Sequence, residues 1–148
     1  MSWNNLRKGR VSTKNGEYFI TFVCQQRFPY FSNPALAQLF CQCITHNEVK
    51  YQCQWLSWVL MPDHFHGLLS LGETTLGAVV GQLKGASARL INQSLNTSGT
   101  IWQHAYFDHA LRHEEDRIGV SRYIVANPLR RGLVKNIGDY PYWNSVYL

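Results

Sequence analysis

The residues best suited to chemistry in this sequence are two histidines one position apart, His64-Phe65-His66, within the run MPDHFHGLL. In an extended segment, side chains at i and i+2 share a face, so both imidazoles project together while Phe65 turns to the opposite layer. Two imidazoles aimed at one point are a start on a divalent-metal site. The plainer alternative is a turn histidine followed by a hydrogen-bonded, half-buried one, and the pair alone does not choose between them. A second group is Tyr123 and Asn127 in YIVANPLRRGLV. On a helix these form an i, i+4 pair on one face. Asn127 precedes Pro128, where the chain is pushed out of helical geometry, so it marks a helix end. Here the plainer alternative is an amphipathic tyrosine and a terminal cap. Taken together, the two groups mean more. A phenol can attack a phosphodiester to give a phosphotyrosine and a free hydroxyl. That reaction needs a cation to offset charge on the phosphate. Two histidines and an amide oxygen would leave positions open for phosphate and water.

Other chemistries lack their signatures. The chain has no GxxxxGK[ST], no GxGxxG after a strand and no GxSxG elbow. Most acids cluster at 114–116, which leaves little for paired-carboxylate catalysis. Cys24, Cys41, Cys43 and Cys53 form no CxxC and no zinc-ribbon spacing, and read as reduced thiols. The competing readings are a zinc site from Cys41, Cys43 and His46, or a metalloprotein that joins the HxH pair to Cys53 or His46.

The elements that must position these residues follow from composition and pattern. At 148 residues, 45% hydrophobic and 16% charged, the chain reads as one folded domain over 1–148, with a basic arm at 1–15 and an aromatic tail at 139–148. A net charge of +5 favours a polyanion: nucleic acid, an anionic membrane or a phosphorylated small molecule. MSWNNLRKGR lacks the apolar core of a secretory signal, and the apolar stretch from Trp55 to Pro62 is too short to span a bilayer; a cytoplasmic protein is expected. Glu17 to Arg27 reads as a strand, then Asn33 caps a helix with Pro34 at its first position. Gln52 to Met61 and His64 to Leu71 read as antiparallel strands about the Pro62-Asp63 break. Thr74 or Thr75 caps a helix to about Leu95, a strand lies around Tyr106 to Leu111, and His113 to Asn127 forms a helix with acidic residues in its first turn. The tail GDYPYWNSVYL reads as irregular. This order is βαββαβ, a ferredoxin-like α+β antiparallel sheet with helices on one face and an extra C-terminal helix carrying Tyr123.

MPDHFHGLL, followed by IWQHAYFDHALR and then YIVANPLRRGLV, resembles the REP-associated tyrosine transposases. These are relatives of the single-tyrosine insertion-sequence transposases within the His-hydrophobic-His (HUH) nucleases. The resemblance covers roughly residues 10 to 145. It implies that His64 and His66 are the HUH pair, Tyr123 the nucleophile, and Asn127 the third ligand of a Mg²⁺ or Mn²⁺ ion. It also gives weight to Trp102 and to Gln103, Asp108 and His109 as accessory residues. Two departures from the family pattern are Arg131, where a small residue is common, and Gly67, where a larger one is frequent. The activity implied is cleavage and strand transfer on single-stranded or hairpin DNA near palindromic repeats, through a 5′-phosphotyrosine. A domesticated relative that binds repeat hairpins and regulates without cutting is the alternative. The implied setting is the cytoplasm, nucleoid-associated when DNA-bound, as monomer or homodimer and without a membrane partner. Arg7, Lys8, Arg10, Lys84, Arg89, Arg130 and Arg131 are the candidates for the DNA backbone. Trp3, Tyr142 and Trp143 are candidates for stacking on unpaired bases.

Overall fold

The computed structural model describes residues 15–112 and 117–148. Strand β1 (Glu17–Val23) is followed by helix α1 (Pro34–Tyr51), strands β2 (Gln54–Leu60) and β3 (His64–Ser70), and helix α2 (Leu76–Leu95). Then come β4 (Phe107–Ala110), α3 (Arg117–Val125), the short helix α4 (Asn127–Arg130) and β5 (Trp143–Ser145). Both long helices start as their sequences dictate. Asn33 Oδ1 accepts from Ala35 N at 3.0 Å ahead of Pro34, and Thr75 Oγ1 accepts from Ala78 N at 3.2 Å. Each stops on a left-handed residue, Gln52 or Asn96, which ends the helical hydrogen-bond run.

The sheet is antiparallel, in the order β4-β1-β3-β2-β5. Its first four strands have the order of the split βαβ fold expected from the sequence. One expectation needs correction: the tail is not irregular, because Trp143–Ser145 pairs with β2 as an edge strand. Its short length and aromatic composition hid the alternation that marks longer strands. The first strand also ends earlier than its residue types suggest. Past Val23 the chain leaves the sheet for a 3₁₀ turn at Gln25–Arg27. Cys24 makes only an isolated bridge to Trp102.

The two faces carry different cores. Tyr18, Ile20, Phe22, Phe65 and Leu69 face α1 and α2, where they pack with Phe40, Leu83 and Trp102. Leu56, Val59 and Leu68 face the other way and are covered by Ile124 of α3. A bulge at Leu56 lets Trp55 turn to the first core and Leu56 to the second. Arg117 Nη2 meets Glu17 Oε2 at 3.0 Å, tying the described start of α3 to β1. The acidic residues expected in the first turn of this helix fall mostly at 113–116, outside the described residues. The helix expected to run through Asn127 instead breaks at Ala126, and Asn127 opens α4 with Pro128 at its first turn. Proline lacks an N–H, which a first turn does not use, so the break falls before it rather than after it. Among the described residues no helix is long and apolar enough to cross a membrane.

Candidate active site

Strand alternation on β3 decides which side chains meet. Phe65 and Gly67 point into the α1/α2 core, so His64, His66 and Leu68 point to the α3 side. The two imidazoles stand 4.6 Å apart, centroid to centroid, at 80°. His64 is 3% exposed, and its Nδ1 lies 2.6 Å from Asp63 Oδ1. A carboxylate can only accept, so Nδ1 carries the proton and Nε2 keeps its lone pair. Asn127 Nδ2 reaches that Nε2 at 3.2 Å, joining residues from a strand and a helix far apart in sequence. His66 Nδ1 is 2.7 Å from Thr21 Oγ1 on the neighbouring strand, where Thr21 and His66 are register partners.

The surroundings keep both rings neutral. Burial lowers the pKa of His64, against the opposing pull of Asp63. Burial, then His64 and the nearby positive charges of Arg130 and Arg131, hold His66 down at about 3. Asp63 would rise through burial, but its bonds and charge contacts with His64 and Arg27 outweigh that and hold its carboxyl below the usual range. Neutral imidazoles are the form that binds a metal.

Tyr123 lies on α3 and is 54% exposed. Phe19 connects it to the histidines: its ring is 6.3 Å from Tyr123 and 5.8 Å from His66, edge-on in both cases. The Arg130 guanidinium stacks over the Tyr123 ring at 3.9 Å and donates from Nη1 to the Tyr123 carbonyl at 2.7 Å. Arg130 makes both contacts from α4, past the interruption of the helix at Ala126.

A family comparison bears on this arrangement. The family described as "Transposase IS200 like" matches residues 12–127, a span that holds both histidines, Tyr123 and Asn127. The chain belongs to this family. Among curated proteins, this IS200-like chain is 29% identical over 141 residues to a REP-associated tyrosine transposase of Escherichia coli, covering 90% of the chain and 78% of that relative. It is 28% identical over 145 residues to a Haemophilus influenzae protein named for the same group, covering 90% and 81%. The resemblance read from the three motifs therefore holds. Among solved structures, a REP-associated tyrosine transposase bound to a REP hairpin matches with a TM-score of 0.76 at 24% identity, over 90% of this chain and 79% of that one. A Deinococcus radiodurans structure described as a transposase candidate matches with a TM-score of 0.53 at 24% identity, over 79% and 94%. Both share the fold of this IS200-like chain.

The structure sorts the remaining sequence candidates. Arg130 and Arg131 come to the site. Lys84 and Arg89 lie on α2, across the sheet from the histidines, and Lys84 Nζ is held by the carbonyls of Gln103 and His104 at 2.8 and 3.1 Å. Asp108 is 3% exposed and pairs with Ile20, which places it on the α1/α2 face away from the histidines. His109 pairs with Phe19 and so shares the site's face, although it is exposed. Gln103 Nε2 approaches the Cys24 carbonyl at 3.5 Å, and Trp102 is a core residue stacked on Phe31 at 5.5 Å. Tyr142 and Trp143, the stacking candidates in the tail, are half-buried. Tyr142 packs on the main core, and Trp143 packs on the second core with Nε1 on the Ile137 carbonyl. Arg7, Lys8, Arg10 and Trp3 lie outside the described residues. The four cysteines are free thiols, and burial raises Cys24 to about 12 and Cys41 and Cys53 to about 11. Among the described residues no three His, Cys, Asp or Glu side chains group to hold a metal, which disfavours the cysteine-based sites. A site completed by an asparagine amide falls outside that group of residue types.

Sequence reading passed over Asp63, Thr21 and Arg27. Asp63 was visible only as half of a turn, although its place directly before His64 was a usable signal. Thr21 could not be found without the strand register.

Proposed function

We propose that this IS200-like chain cleaves and rejoins single-stranded or hairpin DNA, with Tyr123 as nucleophile beside a divalent-metal site formed by His64, His66 and Asn127. The observation that carries this reading is the convergence of Asn127 on the Nε2 of His64, four residues beyond Tyr123 and across the break at Ala126. The donor set suits a divalent cation. His64 is locked with Nε2 as its lone-pair nitrogen, and the tautomer of His66 that donates from Nδ1 to Thr21 frees its Nε2 too. Exchange of the two ends of the Asn127 amide presents Oδ1 in place of Nδ2. A bound Mg²⁺ or Mn²⁺ ion would draw charge from the scissile phosphate.

The remaining work belongs to the chain. Tyr123 Oη forms a bond to phosphorus as the bond to the 3′ oxygen breaks. The phenolic proton is lost to solvent, and the departing 3′ oxygen takes up a proton to become a hydroxyl. The phosphate stays on the tyrosine as a 5′-phosphotyrosine, ready for attack by another 3′-hydroxyl. Arg130 holds the ring of Tyr123, and with Arg131 it supplies positive potential where the phosphate must enter. The partner proposed is hairpin DNA with an unpaired flank; the structurally similar REP-associated tyrosine transposase is bound to a REP hairpin.

The test is covalent trapping. Wild-type protein, Mn²⁺ and a repeat-hairpin oligonucleotide with a single-stranded flank should give an adduct that survives denaturation. Tyr123→Phe should bind the same oligonucleotide and give none. Binding by both proteins with no adduct from either would favour the non-cutting regulator instead.

A further inference from the structure

Between β1 and α1 the chain makes a turn that the catalytic reading does not use. Gln26 and Arg27 both adopt left-handed backbone, at φ 55° and 53°. Two consecutive non-glycine residues in that region are disfavoured, and such strain persists only where surrounding contacts impose it. The contacts are present. Cys24 N donates to the Asp63 carbonyl at 2.8 Å, and Phe31 N donates to the Pro62 carbonyl at 3.0 Å, so both ends of the turn are pinned to the loop that leads into His64. Arg27 Nη1 adds a bond to Asp63 Oδ2 at 3.3 Å.

This geometry displays an aromatic ring on the turn that is pinned to Pro62 and Asp63, the residues leading into His64. Phe28 is 56% exposed, and its ring lies 4.6 Å from that of Tyr30, which is anchored against the main core. Arg27 precedes it with a side chain 57% exposed, and the bond to Asp63 occupies only one edge of a guanidinium that has five N–H donors. An exposed aromatic braced by a second ring, next to a cation, complements one chemical unit: a flat base attached to a phosphate.

We propose that Arg27, Phe28 and Tyr30 form a subsite for an unpaired nucleotide next to the reacting phosphate, with Phe28 stacking on the base and Arg27 contacting the backbone. The inference rests on the DNA-cleaving reading above and adds where the single-stranded flank lies. Stacking of this kind accepts any base, so the subsite positions the strand and leaves sequence selection to other contacts.

The experiment uses the full chain in a Tyr123→Phe background, so that binding is measured without cleavage. The probe is a DNA hairpin with a six-thymidine 5′ extension, carrying 2-aminopurine at one extension position at a time. The same hairpin without the extension is the control. Wild-type Phe28 should quench 2-aminopurine at one or two adjacent positions. Phe28→Ala should abolish that quenching and weaken binding of the extended hairpin about five- to a hundredfold. Phe28→Trp should restore both, while Phe28→Leu, which keeps apolar bulk, should not. The blunt hairpin should bind equally to all four. Equal binding of the extended hairpin by Phe28 and Phe28→Ala, or quenching that survives in Phe28→Ala, would overturn the subsite alone. Failure of every protein, Phe28 included, to bind either hairpin would instead overturn the DNA-cleaving reading, and the subsite with it.

Discussion

Gly67 sits directly after His66, and its lack of a side chain has a structural cause that can be tested. A Cβ built at this position would lie 2.6 Å from Trp55 Cε3 and 2.7 Å from Trp55 Cζ3. Carbon atoms pack best at about 3.5–4.0 Å, so Gly67→Ala requires the indole to retreat by roughly 1 Å. Trp55 has no easy retreat. It is 3% exposed, its Nε1 donates to buried Asn47 Oδ1 at 3.0 Å, and its ring sits edge-on to Phe65 at 5.2 Å. Overpacking of this kind costs about 1–3 kcal/mol, and stretching the indole hydrogen bond adds up to about 1 kcal/mol. Relief of glycine's backbone entropy returns roughly 0.5–1 kcal/mol. The net expectation is a loss of about 0–3.5 kcal/mol, centred near 2, seen as a lower urea midpoint with unchanged slope. Trp55→Leu should be destabilising by itself, yet adding Gly67→Ala to it should cost less than in the wild type, because the closest clash is gone and only the 3.0 Å approach to Phe65 Cε2 remains. Unfolding curves for the four proteins close this cycle. Equal cost of Gly67→Ala with and without the indole would refute the reasoning.

Asp63→Asn should weaken Mn²⁺ binding about 10- to 100-fold, because a neutral amide holds the Nδ1–H of His64 less firmly than a carboxylate does; titration followed by Mn²⁺ electron paramagnetic resonance measures this. Acidification should destabilise the fold between the ordinary histidine pKa near 6.5 and the folded value of about 3 for His66. In that window the unfolded chain binds more protons, so stability falls as pH falls, by up to about 1.4 kcal/mol per pH unit for each such histidine. Urea midpoints at pH 7 and 5 should show the drop, and His66→Gln should lessen it. Neutralising Arg130 and Arg131 together should flatten the log–log salt dependence of single-stranded DNA binding by about 1.4, at about 0.7 per phosphate contact. Lys84→Met should instead lower stability with little change in that slope, since its ammonium serves the Gln103 and His104 carbonyls.

Much of this molecule is legible along the chain because its causes are local. The caps at Asn33 and Thr75 act over two or three residues, and the period-two alternation of β3 alone sends His64 and His66 to one face. The order of elements then restricts the sheet to few arrangements, which is why the split βαβ order could be expected. The three-residue strand β5 was not legible, since its pairing depends on the exposed edge of β2 more than on its own residues. The site divides in the same way. Residue types and spacing single out His64, His66, Tyr123 and Asn127, but the contact of Asn127 with His64 depends on α3 and α4 lying on the face opposite the long helices. Only tertiary structure decides what surrounds them. Thr21 meets His66 through strand register, Arg27 reaches Asp63 through a turn in left-handed backbone, and Arg130 stacks over Tyr123 from the short helix that follows. It also separates the cations that sequence alone treats alike, turning Lys84 onto loop carbonyls and Arg130 and Arg131 toward the histidines. A charge shows in the sequence, but the neighbours that occupy it come from distant segments and exist only once the chain has folded.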